Sequence, residues 1–253
     1  GQACGPAGLG SHDAAHLVLA QAAARHGYFT VVATCGNDPE TEERATQSLL
    51  DRRVDGLILS TCRLGDRLPQ QLREKQINHV LALRTDGFSP SSVGDDELGG
   101  YLATRHLIDL GHRDIGLIGG PDFASNARNR RKGFERAMQE AGLRIEADWC
   151  CHSDFNIASG EQQGMKILSQ AHRPSALFAV NDELAIGVLA AAHQHRHRGT
   201  GHQPRRQQRQ RDALAQRRRE GSRGDLPDHL PVVHHLHVRT RNASPLRQQS
   251  SEP

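Results

Sequence analysis

The sequence predicts an α/β fold built from doubly wound parallel sheets, and three observations carry that prediction. Short apolar segments alternate strictly with segments of helical length from residue 29 to residue 192, and such alternation implies parallel strands joined by helical crossovers. The stretch 105–143, RHLIDLGHRDIGLIGGPDFASNARNRRKGFERAMQEAGL, reads in turn as helix, strand, loop and helix. Within it, Gly119, Gly120 and Pro121 follow directly on the apolar run 115–118, so the chain must turn at the strand's carboxyl end. That end is where open α/β sheets gather ligands.

Taken in order, the first lobe is expected to hold a helix ending near Arg25, a strand over 29–34, a helix over 39–53, a strand over 54–59, a helix over 66–76 and a strand over 77–83. Asp38 is placed to cap the second helix, with Pro39 in its first turn and Glu40, Glu42 and Glu43 beside its positive end. In the next helix Leu98, Leu102, His106, Leu107 and Leu110 recur at helical spacing and form the expected apolar face, and Gly111 stands where a left-handed C-cap is wanted. The second lobe follows from 111, with strands over 114–118, 149–153 and 176–180 and helices over 126–141, 158–171 and 182–192. No internal repeat is visible.

A chain of 253 residues can bury a sizeable core. No apolar run approaches the roughly 20 residues that span a bilayer, so no membrane partner is expected. The opening GQACGPAGLGSHD lacks the basic and apolar regions of a secretory leader, which makes a cytoplasmic location the expectation. Five cysteines, Cys4, Cys35, Cys62, Cys150 and Cys151, show no metal-ligand spacing, and their odd number argues against a disulfide framework. They read as reduced and structural.

The net charge of +3 conceals a partition. Residues 193–253 hold thirteen of the 32 basic residues, all arginine, and five of the 29 acidic ones, which gives this tail +8 and residues 1–192 −5. Eight histidines and eight glutamines accompany the arginines, and apolar residues are sparse. A segment of that composition buries too little apolar area to offset chain entropy and is expected to be poorly packed.

Residues 26–192 resemble the effector-binding core of the lactose and galactose repressor (LacI/GalR) family of bacterial transcription regulators. The resemblance rests on HGYFTVVATCGNDPETE, RRVDGLILS, VGDDELGGYLATRHLIDLGH and SDFNIASGEQQGMKILSQAHRPSALFAVNDELAIGVLAA, in that order and at family-like spacing, together with the 105–143 stretch. It implies a periplasmic-binding-protein-like fold in which two doubly wound lobes close on a small molecule, with residues 1–110 as the amino-terminal lobe, 111–192 as the carboxyl-terminal lobe and 193–253 as a tail. It implies further an effector-binding and dimerising core, with a sugar or related molecule as the effector and a homodimer as the assembly. Ligand-dependent closure would alter the spacing of DNA-reading heads. A transport-type sugar-binding protein is the alternative. No helix-turn-helix is found in these residues, so operator DNA is expected to be read only through a head domain missing here.

The resemblance also names a candidate site. Arg130, in NRRKG, matches the family's effector-binding arginine, and a planar guanidinium fork suits paired hydroxyls or a carboxylate. Phe155, in SDFNIASG, matches an aromatic that stacks on the bound ring. Asn181 matches an effector contact, Asp182 beside it is expected chiefly to cap the following helix, and Asp95, in VGDDELGG, matches an acidic residue at the lobe junction. His106 and His112 flank a helix end and read as structural.

Two segments depart from the family pattern, and the fold is expected to be incomplete at both ends. Residues 1–15 show no strand pattern where an opening strand belongs, and the resemblance stops near His193. Read one base later, the coding text of 195–209 is compatible with IGIEEPGISLVGNND and that of 1–12 with GRPVGLLVSDPM, both family-like. A shifted reading frame and a genuine basic arm that holds nucleic acid both account for the tail.

Catalysis is not expected. The chain has no phosphate loop of the Gly-x-x-x-x-Gly-Lys type, Gly116, Gly119 and Gly120 form no dinucleotide fingerprint, and no nucleophile elbow occurs. Half of the sixteen histidines lie in the tail, and HHLH near His234 lacks a partner cluster for a metal. No cofactor is implied.

Overall fold

The computed structural model describes residues 11–35 and 37–200 and the short strand Val232–Val233, with side chains over 16–35 and 37–196. A first layer of elements runs α1 (Ser11–Arg25), α2 (Pro39–Asp51), β1 (Leu57–Leu59), α3 (Arg67–Glu74), β2 (His79–Ala82) and β3 (Ser91–Ser92). A second runs α4 (Asp96–Asp109), β4 (Ile115–Gly119), α5 (Ser125–Glu140), a 3₁₀ turn (Ala147–Trp149), β5 (Cys150–His152), α6 (Ile157–Leu168), β6 (Ala176–Ala179), α7 (Asp182–Thr200) and β7 (Val232–Val233). All described pairings are parallel, in the orders β1-β2-β3 and β5-β4-β6-β7. In the second sheet the chain leaves β4 for one neighbour and then crosses to the other. Right-handed crossovers therefore put α5 and α6 on opposite faces, the doubly wound arrangement that the alternation predicts.

Local chemistry explains where the helices start. Asp38 accepts the Thr41 N–H at 2.9 Å and Pro39 opens α2, while Asp66 accepts the Leu68 N–H at 3.2 Å before α3. At the end of α4, Gly111 takes φ 94°, and the His112 N–H reaches back to the Leu107 carbonyl at 3.1 Å. This is the left-handed cap read from the sequence.

The larger core gathers Leu107, Ile115, Leu117, Ile118, Phe134, Met138, Ile167, Leu177, Leu184 and Val188, each at most 1% exposed. The smaller core joins Leu57, Leu59, Cys62, Leu68, Leu72 and Leu81. Ala103, Leu107 and Ile108 bring α4 into the larger core. The change of core thus falls before α4.

Four expectations are corrected. The apolar face of α4 is rotated: Gly99, Gly100, Ala103, Thr104, Leu107 and Ile108 are buried, whereas Leu102 and Leu110 are exposed. The reason is that α4 meets α5 through small residues, and a Cβ on Gly100 or Gly133 would run into the backbone of the facing helix. The 29–34 segment is not a strand. Phe29, Val31 and Val32 are exposed, and the segment pairs with none of the described strands, although the side of β1 away from β2 is an open edge among them; an apolar run forms a strand only where it is paired. Helix α7 continues past Ala192 to Thr200, because residues 193–200 contain no proline to stop it. Val232 and Val233, inside the tail, pair with Leu177 and Phe178 as β7. The rest of the tail and Gly1–Gly10 lie outside the described residues, as does the region of the two shifted-frame readings before Ser11 and after Thr200.

The loop after β2 is fastened by Asp86. Its carboxylate accepts the Ser89 N–H at 2.8 Å and the Phe88 N–H at 2.9 Å and pairs with Arg73 at 2.5 Å. Burial opposes the charge, yet these backbone donors and Arg73 outweigh it and hold the carboxyl down at about 2. A folded-state value below the unfolded one, 3.8, stabilises the fold above about pH 4, and that contribution disappears as the pH falls toward 2. The side chain is only 3% exposed, so about 2 kcal/mol is expected to be lost over this window. Urea midpoints between pH 5 and pH 2 check it: Asp86→Asn should flatten that part of the profile, and an unchanged slope would remove Asp86 as its source.

Candidate effector-binding cleft

The carboxyl ends of both sheets meet where the two cores adjoin. Two hydrogen bonds join the sides there, from the Leu64 N–H to the Phe123 carbonyl at 2.8 Å and from the Thr85 N–H to Ser125 Oγ at 2.9 Å. Polar side chains from both sides meet at this junction, the candidate cleft.

Arg130, on the second turn of α5, spans both sides of this junction's second-lobe part. Its Nε and Nη2 lie 2.9 and 2.8 Å from Asp96 Oδ1, and its Nη1 donates to the Val180 carbonyl at 2.6 Å. It ties the start of α4 to the end of β6. Both side chains of the pair are nearly buried, at 11% and 8% exposed. Burial pushes the Asp96 carboxyl up while the Arg130 charge and hydrogen bonds pull it down, with a net rise.

The sequence-predicted residues divide around this pair. Asn181 stands one residue beyond Val180, and its Oδ1 accepts the Leu184 N–H at 3.0 Å. It is therefore Asn181 that caps α7, and the capping role expected for Asp182 is corrected; Asp182 is the first helical residue, half-buried. Asp95 is exposed and caps α4 by accepting the Leu98 N–H at 3.1 Å. The acidic residue that reaches the cleft is its neighbour Asp96. Two adjacent aspartates at a helix start look alike in a sequence, and only the helix phase separates the cap from the inward carboxylate. Phe155, between β5 and α6, packs against the larger core, and its ring fills the space a Cβ on Gly120 would take. His112 bonds Ser175 Oγ at 2.9 Å, a structural role.

Sequence reasoning missed the first-lobe wall. Arg84, two residues past β2, is 2% exposed. Its Nη1 donates to Asn37 Oδ1 at 3.0 Å and to the Thr61 carbonyl at 3.2 Å. Its guanidinium lies 5.3 Å from the Phe155 ring centroid and 6.0 Å from that of Phe123. Arg63 covers the other part of Phe123 at 4.0 Å and donates to the Asn37 carbonyl. Burial lowers the Arg84 pKa, opposed by nearby Cys62 and Glu42, while Arg63 and Arg130 lower it further. Glu42, hydrogen-bonded by Thr61 Oγ at 2.7 Å, has its carboxyl pushed up by burial. A lone arginine placed directly after an apolar strand, as in VLALR, was the available signal.

Guanidinium, carboxamide and aromatic groups from the ends of two parallel sheets thus converge at one junction. The model for periplasmic binding proteins and the sugar binding domain of the LacI family matches residues 13–215. The chain belongs to that family. It is 35% identical over 173 residues to the HTH-type transcriptional repressor PurR of Serratia proteamaculans (strain 568), and 33% identical over 174 residues to that of Klebsiella pneumoniae (strain 342), each alignment covering 66% of this chain and 50% of the relative. The chain thus spans about half the length of the curated relatives it matches. Among solved structures, the transcriptional regulator CelR in complex with cellobiose superposes with a TM-score of 0.65 at 29% identity, over 74% of this chain and 57% of that one. Among the described residues, no helix is long and apolar enough to cross a membrane.

Proposed function

We propose that the chain is the effector-binding and dimerising core of a cytoplasmic transcription repressor, with a sugar or related molecule as effector. The Arg130–Asp96 pair carries the reading, because it places a planar donor fork between α4, α5 and the end of β6, with Asn181 alongside and Phe155 across the same strand ends. Donors in a fork bind vicinal hydroxyls, and the aromatic face accepts the C–H side of a sugar ring. In this reading Arg130, Phe155, Asn181 and Asp96 form the effector site, Asp95 and Asp182 support it from helix starts, and the groups bind without catalysing a reaction. The relatives named above are repressors, which favours this reading over a transport protein. Operator DNA would be read by a separate head domain, held by the homodimer.

Calorimetric titration with glucose, ribose and cellobiose tests it. Arg130→Ala should weaken the best-bound sugar by about 1.5 to 3 kcal/mol, the usual contribution of a hydrogen bond to a charged group. Unchanged affinity in that variant would remove Arg130 from the site.

A further inference from the structure

Neither Arg63 nor Arg84 forms an ion pair among the described residues. The Arg84 partners are a carboxamide oxygen, a backbone carbonyl and two aromatic rings, all neutral. Its Nε is buried and has no hydrogen-bond partner. Of the two carboxylates in the cleft, Asp96 is committed to Arg130, and Glu42 is hydrogen-bonded by Thr61. Three guanidinium groups therefore converge here on one ion-paired carboxylate, and Glu42, although close enough to act on Arg63 and Arg84, forms no ion pair with either among the described residues.

A buried guanidinium without a carboxylate is costly, because desolvation is not repaid by an opposite charge. Aromatic faces return only part of that cost. The Asn37 and Thr61 contacts fix the Nη1 edge and leave the Nε side unengaged. A planar fork in that state suits an oxyanion, which can accept two parallel N–H bonds. Phe123 and Phe155 belong to the second lobe and cover Arg84 from the other side of the junction.

We propose that Arg84, assisted by Arg63, is the charge-recognition group of this cleft and that the effector carries an acidic group, a phosphate or a carboxylate, seated against it. The proposal deepens the sugar-effector reading above and rests on it for the body of the ligand, while the anion subsite does not depend on Arg130.

The full chain is titrated with glucose 6-phosphate, gluconate, glucose and inorganic phosphate at constant ionic strength, by calorimetry and by thermal melting. At least one of glucose 6-phosphate and gluconate should bind about tenfold or more tighter than glucose, the effect of a charge-assisted hydrogen bond. Which of the two binds better tells a phosphate site from a carboxylate site. Arg84→Gln should abolish that advantage and the rise in Tm with inorganic phosphate, while Arg84→Lys should retain part of both and guard against simple misfolding. Glucose binding as tightly as both anions, or Arg84→Gln weakening glucose and the anions equally, would overturn the proposal and leave the sugar site intact. Anions that bind through Arg84 regardless of Arg130→Ala would support the proposal and overturn the Arg130 site. No binding of any of the four probes would overturn both.

Discussion

Asp96→Ala is expected to destabilise the chain by about 3 to 5 kcal/mol, as large a loss as any single cleft substitution should produce. The substitution leaves Arg130 with the Val180 carbonyl as its remaining partner and no counter-charge, in a site where that side chain is 11% exposed. Breaking one side of a buried pair costs this much because the remaining charge stays desolvated. Solvent screening offers little relief at such low exposure. Asp96→Asn keeps an acceptor for Nε and should lose only about 1 to 2 kcal/mol, the loss from a weakened hydrogen bond. The double variant Asp96→Leu with Arg130→Met removes both charges and should recover much of the stability, since apolar replacement of a buried pair is often neutral. It should still fail to bind effector, which separates the folding role of the pair from its recognition role. Denaturant midpoints for the set decide the matter: equal values for Asp96→Ala and wild type would show that the pair adds nothing to the fold.

Much of the fold was legible because its signals are local and mutually consistent. Strand β4 is an apolar run closed by Gly119 and Gly120, α2 carries its cap and its proline, and Gly111 adopts the left-handed turn that a helix end followed by a strand requires. Signals that depend on a neighbour were less legible. The 29–34 segment alternates like a strand, but pairing depends on an adjacent edge that no local pattern reports. The two-residue β3, Ser91–Ser92, has no apolar signature at all and is held by the Pro90 and Ser92 carbonyls, which accept from Leu81 and Leu83. In α4 the leucines suggested the wrong face, because periodicity of large side chains does not show where two helices approach through glycine.

The cleft was half legible for a related reason. Residues on the second lobe stand in motifs whose resemblance to the family is continuous, so Arg130, Phe155 and Asn181 could be named. Arg84, Arg63 and Phe123 reach the cleft only because two sheets present their carboxyl ends to one another. Their meeting is a tertiary fact, set by the contact between Leu64 and Phe123 and by Thr85 with Ser125. The Asp95 and Asp96 exchange has the finest grain. One residue of helix phase turns a cap into a buried ion-pair partner.

Gly133→Ala is expected to lose about 3 kcal/mol of stability and to weaken effector binding at the same time, although Gly133 is not itself among the residues placed in the effector site. An added Cβ would collide with the Glu97 carbonyl and would lie 2.5 Å from the Tyr101 N. Both are backbone atoms of α4 and cannot swing aside. Alanine is the better helix former by about 1 kcal/mol, so an isolated helix would gain from the change. The close contact between α4 and α5 reverses that sign, because overpacking against a rigid helix costs about 1 to 3 kcal/mol and occasionally more. To relieve the clash α5 must move away from α4, and Arg130 lies three residues before Gly133 while Asp96 lies at the start of α4. The displacement therefore lengthens the pair that orients the guanidinium. Phe134→Ala provides the contrast: it empties a fully buried position and should cost a comparable 3 to 5 kcal/mol. That vacancy is on the sheet side and leaves the helix spacing unchanged. At a temperature where both variants remain folded, Gly133→Ala should bind effector more weakly than Phe134→Ala at matched stability. Equal affinities in the two variants would show that α4 and α5 do not need their close approach to set the geometry of Arg130.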